Sequence, residues 1–165
     1  MFARHFIDSQ DFARQGRELR GEIAVAEMPR LQEFLVNPQG AVRYTLRGMV
    51  GRDGNPMLEL VLGGSCQMRC QRCLAEMTYQ VKLASRLQLV PENEFDEFSG
   101  DEGEMDSIAA DTNLDVQDLI EEEILLSLPF APGHPEGVCL QIAEKLNSTE
   151  KNPFMVLSGL KIKDI

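Results

Sequence analysis

The sequence predicts an α+β fold: an antiparallel β-sheet meander, open or curled towards a barrel, covered by one main helix and short helices. Three observations carry this. Val42 to Val50 and Met77 to Leu89 alternate apolar and polar residues with period two, the pattern of a strand with one wet face. Asp53-Gly54-Asn55-Pro56 is a turn signal that joins the first of these to Met57–Leu62, making a hairpin. Asp115 to Pro129 repeats its apolar residues at helical spacing and is the strongest helix signal in the chain.

In chain order, Phe2 to Phe12 is compatible with an edge strand, and the second part of Arg17–Glu27 alternates as a strand. Pro29 sits where a short helix starts, with Leu31, Phe34 and Leu35 at helical spacing and Asn37-Pro38-Gln39-Gly40 as its stop. Within the hairpin, Val42, Tyr44, Leu46 and Gly48 share one face and Arg43, Thr45 and Arg47 the other. Gly63-Gly64 predicts a relaxed or bulged end to the second strand. The C-x-x-C pair Cys70 and Cys73 then falls in a strand-to-strand connection.

In the main helix Asp115 is placed to cap the first turn, and Pro129 ends it. Val116, Leu119, Ile120 and Ile124 form the buried stripe, which Leu125, Leu126 and Leu128 widen to all-round burial in the last turn. Glu121, Glu122 and Glu123 are expected on a wet face. A short helix is expected at 140–146, and Phe154, Leu157 and Leu160 would line one face of a terminal helix.

The chain has 165 residues with 43% hydrophobic content, enough for one domain with its own core. No apolar run approaches the roughly 20 residues of a membrane helix, and charged residues interrupt the first fifteen where a signal peptide has its apolar centre. A cytoplasmic protein is expected, in which cysteines serve as thiols or metal ligands rather than disulfides. The net charge of −11 is a local property. Residues 1–90 hold 12 basic and 9 acidic side chains, residues 91–123 hold 14 acidic and no basic ones, and the remaining four of each sign cancel. A flexible acidic loop is expected at about 91–112, because such a composition cannot bury enough to offset its ordering entropy. Its bland role is a solvated linker; its functional role is docking against a basic partner.

Two cysteines separated by two residues can supply half of a tetrahedral zinc site, and His134 and Cys139 in the Pro/Gly-rich turn after the main helix offer the other half. Buried thiols and a redox pair are the competing readings of the same residues. A redox pair is disfavoured because Ala75 to Leu89 reads as strand, where a helix start would lower a thiolate pKa. Arg43, Arg47, Arg69, Arg72 and Arg86 are candidate phosphate contacts for RNA, with ordinary pairing to nearby glutamates as the alternative.

The order and spacing of these features resemble the YceD family of bacterial proteins from about residue 40 onward. The residues concerned are Cys70-Gln71-Arg72-Cys73-Leu74, the acidic segment, the Asp115–Pro129 helix, His134, Cys139 and Asn152-Pro153-Phe154. Cys66 lies outside that pattern and is expected in the core. The resemblance implies a role in synthesis, processing or stability of large-subunit (23S) ribosomal RNA and transfers no catalytic residue. It leads to the expectation of a non-enzymatic ribosome-biogenesis factor that binds large-subunit RNA or a basic large-subunit ribosomal protein, with no membrane partner. From the residue types, a structural zinc ion at the cysteines stays open beside simple buried thiols. The alternative is a zinc- or thiol-dependent enzyme, a nuclease or an oxidoreductase, acting through the C-x-x-C region. Its weakness is that a nuclease needs carboxylates clustered on a shaped site, whereas here the acids sit in a run.

Overall fold

A five-stranded sheet, β2-β3-β4-β5-β6 in spatial order, carries the core on one face and leaves the other to solvent. The computed structural model describes residues 4–91 and 106–139. The expected helices at 140–146 and around Phe154, and most of the acidic loop, lie outside these.

A short strand β1 (Phe6–Ile7) leads into helix α1 (Ser9–Arg14), whose first turn is capped by the Asp8 carboxylate accepting from the Asp11 amide at 2.9 Å. The chain continues through β2 (Glu18–Ala24), a 3-10 turn at Val25–Glu27 and helix α2 (Pro29–Gln32), with Pro29 in its first turn. Three long strands follow, β3 (Leu35–Val50), β4 (Pro56–Arg69) and β5 (Glu76–Val90), then β6 (Asp106–Ala109), β7 (Leu114–Asp115) and helix α3 (Val116–Ser127). Strands β2 to β5 form the expected antiparallel meander. The sheet stays open, with β2 and β6 as its edges.

The alternation holds through β3: Val42, Tyr44, Leu46 and Gly48 are buried while Arg43 and Arg47 are exposed. Facing them on the inner side are Leu58, Leu60 and Leu62 of β4 and Val81, Leu87 and Leu89 of β5. Helix α3 covers this face with Val116, Leu119, Ile120 and Ile124, as the stripe predicts. Leu126 does not follow: it is 77% exposed, so the last turn is not buried all round. Helix α1, which the sequence leaves as an edge strand, lies over Gly48, where a Cβ would run into the carbonyl of Phe12. Phe12 and Ala13 thereby enter the core.

Four further expectations are corrected. Leu35 does not extend the short helix, and Asn37 to Gly40 do not stop one. These residues begin β3, because pairing of Leu35 with Met68 and Asn37 with Gln67 outweighs local helical spacing. Pro38 is tolerated because β2 pairs no further along β3 than Ala41 and the β3–β4 register shifts between Asn37 and Gly40. Gly63-Gly64 is not a bulge; the ladder passes through both glycines in register. The acidic loop does not reach 112, since Asp106–Ala109 pair with Leu87 to Val90 as a parallel strand.

The helix glutamates are the fourth correction. Glu121 is 1% exposed and accepts the Leu31 amide at 2.8 Å and Arg30 Nε at 3.3 Å. Glu123 accepts from the Ser85 hydroxyl on the inner face of β5 at 2.5 Å. Of the three, only Glu122 lies on the wet face. Two carboxylates thus tie α3 to α2 and to the sheet, in line with the rule that buried charges are paired.

Candidate metal centre

The long β4 strand delivers Cys70 to the rim of the sheet, where the chain must reverse into β5. The reversal is closed by the Leu74 amide donating to the Cys70 carbonyl and the Cys70 amide donating to the Ala75 carbonyl, both at 2.9 Å. Leu74 takes a left-handed φ of 60° to complete it. The segment after α3 docks against this turn, with the Gln71 amide donating to the Pro132 carbonyl at 2.8 Å. Arg72 lies over Gly133, where a Cβ would sit 3.1 Å from its Nε, and donates to the His134 carbonyl. The glycine makes room for the guanidinium that holds the segment down.

This docking brings Cys70, Cys73, His134 and Cys139 together, with their donor atoms all within 4.8 Å of one another. Cys70 Sγ lies 3.7 Å from Cys139 Sγ, Cys73 Sγ lies 3.4 Å from His134 Nδ1, and Cys139 Sγ lies 3.7 Å from the same nitrogen. A tetrahedral zinc ion with bonds of about 2.3 Å to sulfur and about 2.0–2.1 Å to nitrogen spaces its ligands by about 3.5–3.8 Å. The three separations match the edges of such a tetrahedron. His134 Nε2 sits 3.2 Å from the Glu76 carbonyl, and donation there leaves the Nδ1 lone pair aimed at the thiols. All four cysteines of the chain are free thiols.

Electrostatics favour the ligand form of one sulfur. Backbone amides, that of Cys73 foremost, followed by those of His134 and Arg72 and by the His134 ring, draw the Cys70 thiol down to about 5 against the opposing effect of burial. Burial pushes the Cys139 thiol up, reinforced by its contacts with Cys70 and Cys73, while Arg72 pulls the other way. Cys66 is buried in the core, as expected, and burial raises its pKa. It takes no part in the cluster. The cluster is therefore a set of four soft and borderline donors that could hold a metal ion, assembled from two stretches about sixty residues apart.

The matched span of the family described as "Large ribosomal RNA subunit accumulation protein YceD" runs from residue 58 to 161 and contains all four donors. The chain belongs to the YceD family. It is 28% identical to the "Large ribosomal RNA subunit accumulation protein YceD" of Haemophilus influenzae, over 95% of each chain. No solved structure matches.

In this YceD-family chain the five candidate arginines separate into three groups. Arg47 and Arg86 stand in one row across the outer sheet face, Glu18–Arg47–Glu59–Arg86, with Arg47 bonded to Glu18 and Arg86 to Glu59 at 3.1 Å. Arg47, then Arg20, hold the Glu18 carboxyl below its ordinary range. Arg72 holds the His134 segment against the Cys70, Cys73, His134, Cys139 cluster. Arg43 and Arg69 are exposed and form no ion pair among the described residues. Sequence reading missed the Arg72–Gly133 contact and the Glu76 carbonyl; neither a backbone acceptor nor a packing glycine leaves a mark in residue spacing. Beside the centre, Phe34, Val36, Met68, Leu125, Leu128 and Phe130 line a groove of about 640 Å³. Phe130 is fully exposed on its edge. Among the described residues no helix is long and apolar enough to cross a membrane.

Proposed function

We propose that this chain is a non-enzymatic, cytoplasmic ribosome-biogenesis factor that supports synthesis, processing or stability of large-subunit (23S) ribosomal RNA. In this reading the Cys70, Cys73, His134, Cys139 centre holds a structural zinc ion. The observation that carries it is the family match, which spans the metal centre and is joined by similarity over nearly the whole length of a protein named for accumulation of that RNA. Four protein donors would complete a tetrahedral shell around such an ion and leave no position for water or substrate, the arrangement of structural rather than catalytic zinc. Such an ion would pin the segment after α3 to the β4–β5 turn, and with it Pro129 and Phe130 at the apolar groove. Binding, rather than chemistry, is what these surfaces favour. Contact with a basic ribosomal protein is supported by the acidic composition of the stretch at about 91–112.

Two measurements test the reading. Removal of the gene should lower the ratio of large- to small-subunit ribosomal RNA, with restoration by a plasmid copy; an unchanged ratio contradicts it. Purified protein incubated with precursor RNA should leave it intact, and cleavage abolished by one point substitution would return the enzyme reading.

A further inference from the structure

On the outer face of the sheet, two rows from the neutralised ladder and separated from it by Thr45, Val61 and Ala84, Glu22 of β2, Arg43 of β3, Gly63 of β4 and Lys82 of β5 stand in register. Two strand spacings place the Cα atoms of Arg43 and Lys82 about 10 Å apart. Both side chains are exposed, and neither forms an ion pair among the described residues. Between them a Cβ on Gly63 would meet nothing within 4 Å, so no side chain rises from the middle of the row. Ala41, Ser65 and Gln80 form the neighbouring row on one side, and on the other Ala84 stays low beside the half-exposed Val61. The result is a shallow trough of about 1070 Å³ with two cations on its walls and a backbone floor. Glu22 borders it beside Arg43 without pairing to it.

We propose that this trough takes the sugar-phosphate backbone of an RNA strand, with Arg43 and Lys82 each contacting a phosphate and the Gly63 floor allowing close approach. The inference rests on the ribosome-biogenesis reading and names the RNA-facing site within it. Charge complementarity selects the ligand: the row Glu18–Arg47–Glu59–Arg86, two rows away, balances its charges, while Glu22–Arg43–Gly63–Lys82 sets two cations against one carboxylate on a rigid sheet. No aromatic side chain lines the trough, so bases have no stacking platform there and the contact positions RNA without reading its sequence. Of the five arginines singled out by sequence, Arg43 is the one this site uses, and Lys82 is its partner.

The test is binding of the full chain to in vitro transcribed fragments of large-subunit ribosomal RNA across a salt series, with co-sedimentation on large-subunit precursor particles in parallel. Each lost phosphate contact lowers the slope of log affinity against log salt by about 0.7–0.9. Arg43→Ala with Lys82→Ala should therefore flatten the slope by about 1.5, and Gly63→Glu, which places a carboxylate in open space, should weaken binding several-fold. Arg47→Ala with Arg86→Ala should change the slope far less. An unchanged slope in the trough variants, or recovery of the wild-type chain only through a nuclease-resistant protein contact, overturns the site while leaving the ribosomal role standing. Failure of the wild-type chain to associate with precursor particles at all overturns both.

Discussion

The ring of His134 is held between two stretches of the chain: its Nε2 lies 3.2 Å from the backbone carbonyl of Glu76, and its Nδ1 lies 3.4 Å from the thiol of Cys73. Because the outer partner is a backbone atom, substitution at Glu76 and at His134 should have opposite outcomes. Glu76→Ala keeps the carbonyl, loses only the side-chain bond from Asn37, and should retain metal. His134→Ala should weaken metal binding by more than the roughly 10- to 100-fold that loss of an outer partner costs. Competition with a chromophoric chelator measures both.

The Cys70 thiol sets a pH signature in the metal-free protein. Its folded pKa of about 5 lies below the unfolded value of about 8.5. The ionised sulfur therefore contributes stability that is fully present above the unfolded value and is lost as pH falls through about 5. Thiolate absorbance in the ultraviolet should show a step with a midpoint near that pH, missing in Cys70→Ser. A chain with no thiolate absorbance at neutral pH would rule this out.

Glu121→Ala should strip the Leu31 amide and Arg30 of a common acceptor. A buried amide left unpaired costs about 1–3 kcal/mol. A lowered denaturant midpoint with unchanged metal content is expected; loss of metal together with stability would place Glu121 in the centre's support rather than in the α2–α3 tie.

Glycine substitutions should differ sharply across the two sheet faces. Gly48→Ala forces a Cβ into the Phe12 carbonyl and should cost about 1–3 kcal/mol, the usual range for overpacking. Gly63→Ala meets nothing within 4 Å and should leave the melting temperature near that of the parent. Equal melting temperatures for the two variants would contradict the close packing of α1 on β3.

Much of the meander was legible because period-two alternation in β3 and β5 reports directly which face is buried, and the Asp115 cap reports where α3 begins. The metal donors were legible as residue types, C-x-x-C with His134 and Cys139, though the spacing could not say that they meet. That depended on the Arg72 contact with Gly133 and the Gln71–Pro132 bond, which join distant stretches. The burial of Glu121 and Glu123 was hidden because a carboxylate on a helix usually marks its wet side, and here the α2 amide and Ser85 reverse that rule. The row Glu18–Arg47–Glu59–Arg86 was likewise invisible without the strand register. Once that register is fixed, the row separates paired arginines from Arg43.

Metal analysis of the purified full chain and three variants tests the metal centre most directly. One zinc ion per chain is expected in the wild type and in Cys66→Ser, whose thiol lies in the core away from the cluster. Cys73→Ser and His134→Ala should lose that ion. Wild-type protein without zinc that keeps its fold, or Cys73→Ser with the same zinc content as the wild type, would contradict a Cys3His centre pinning the segment after α3 to the sheet.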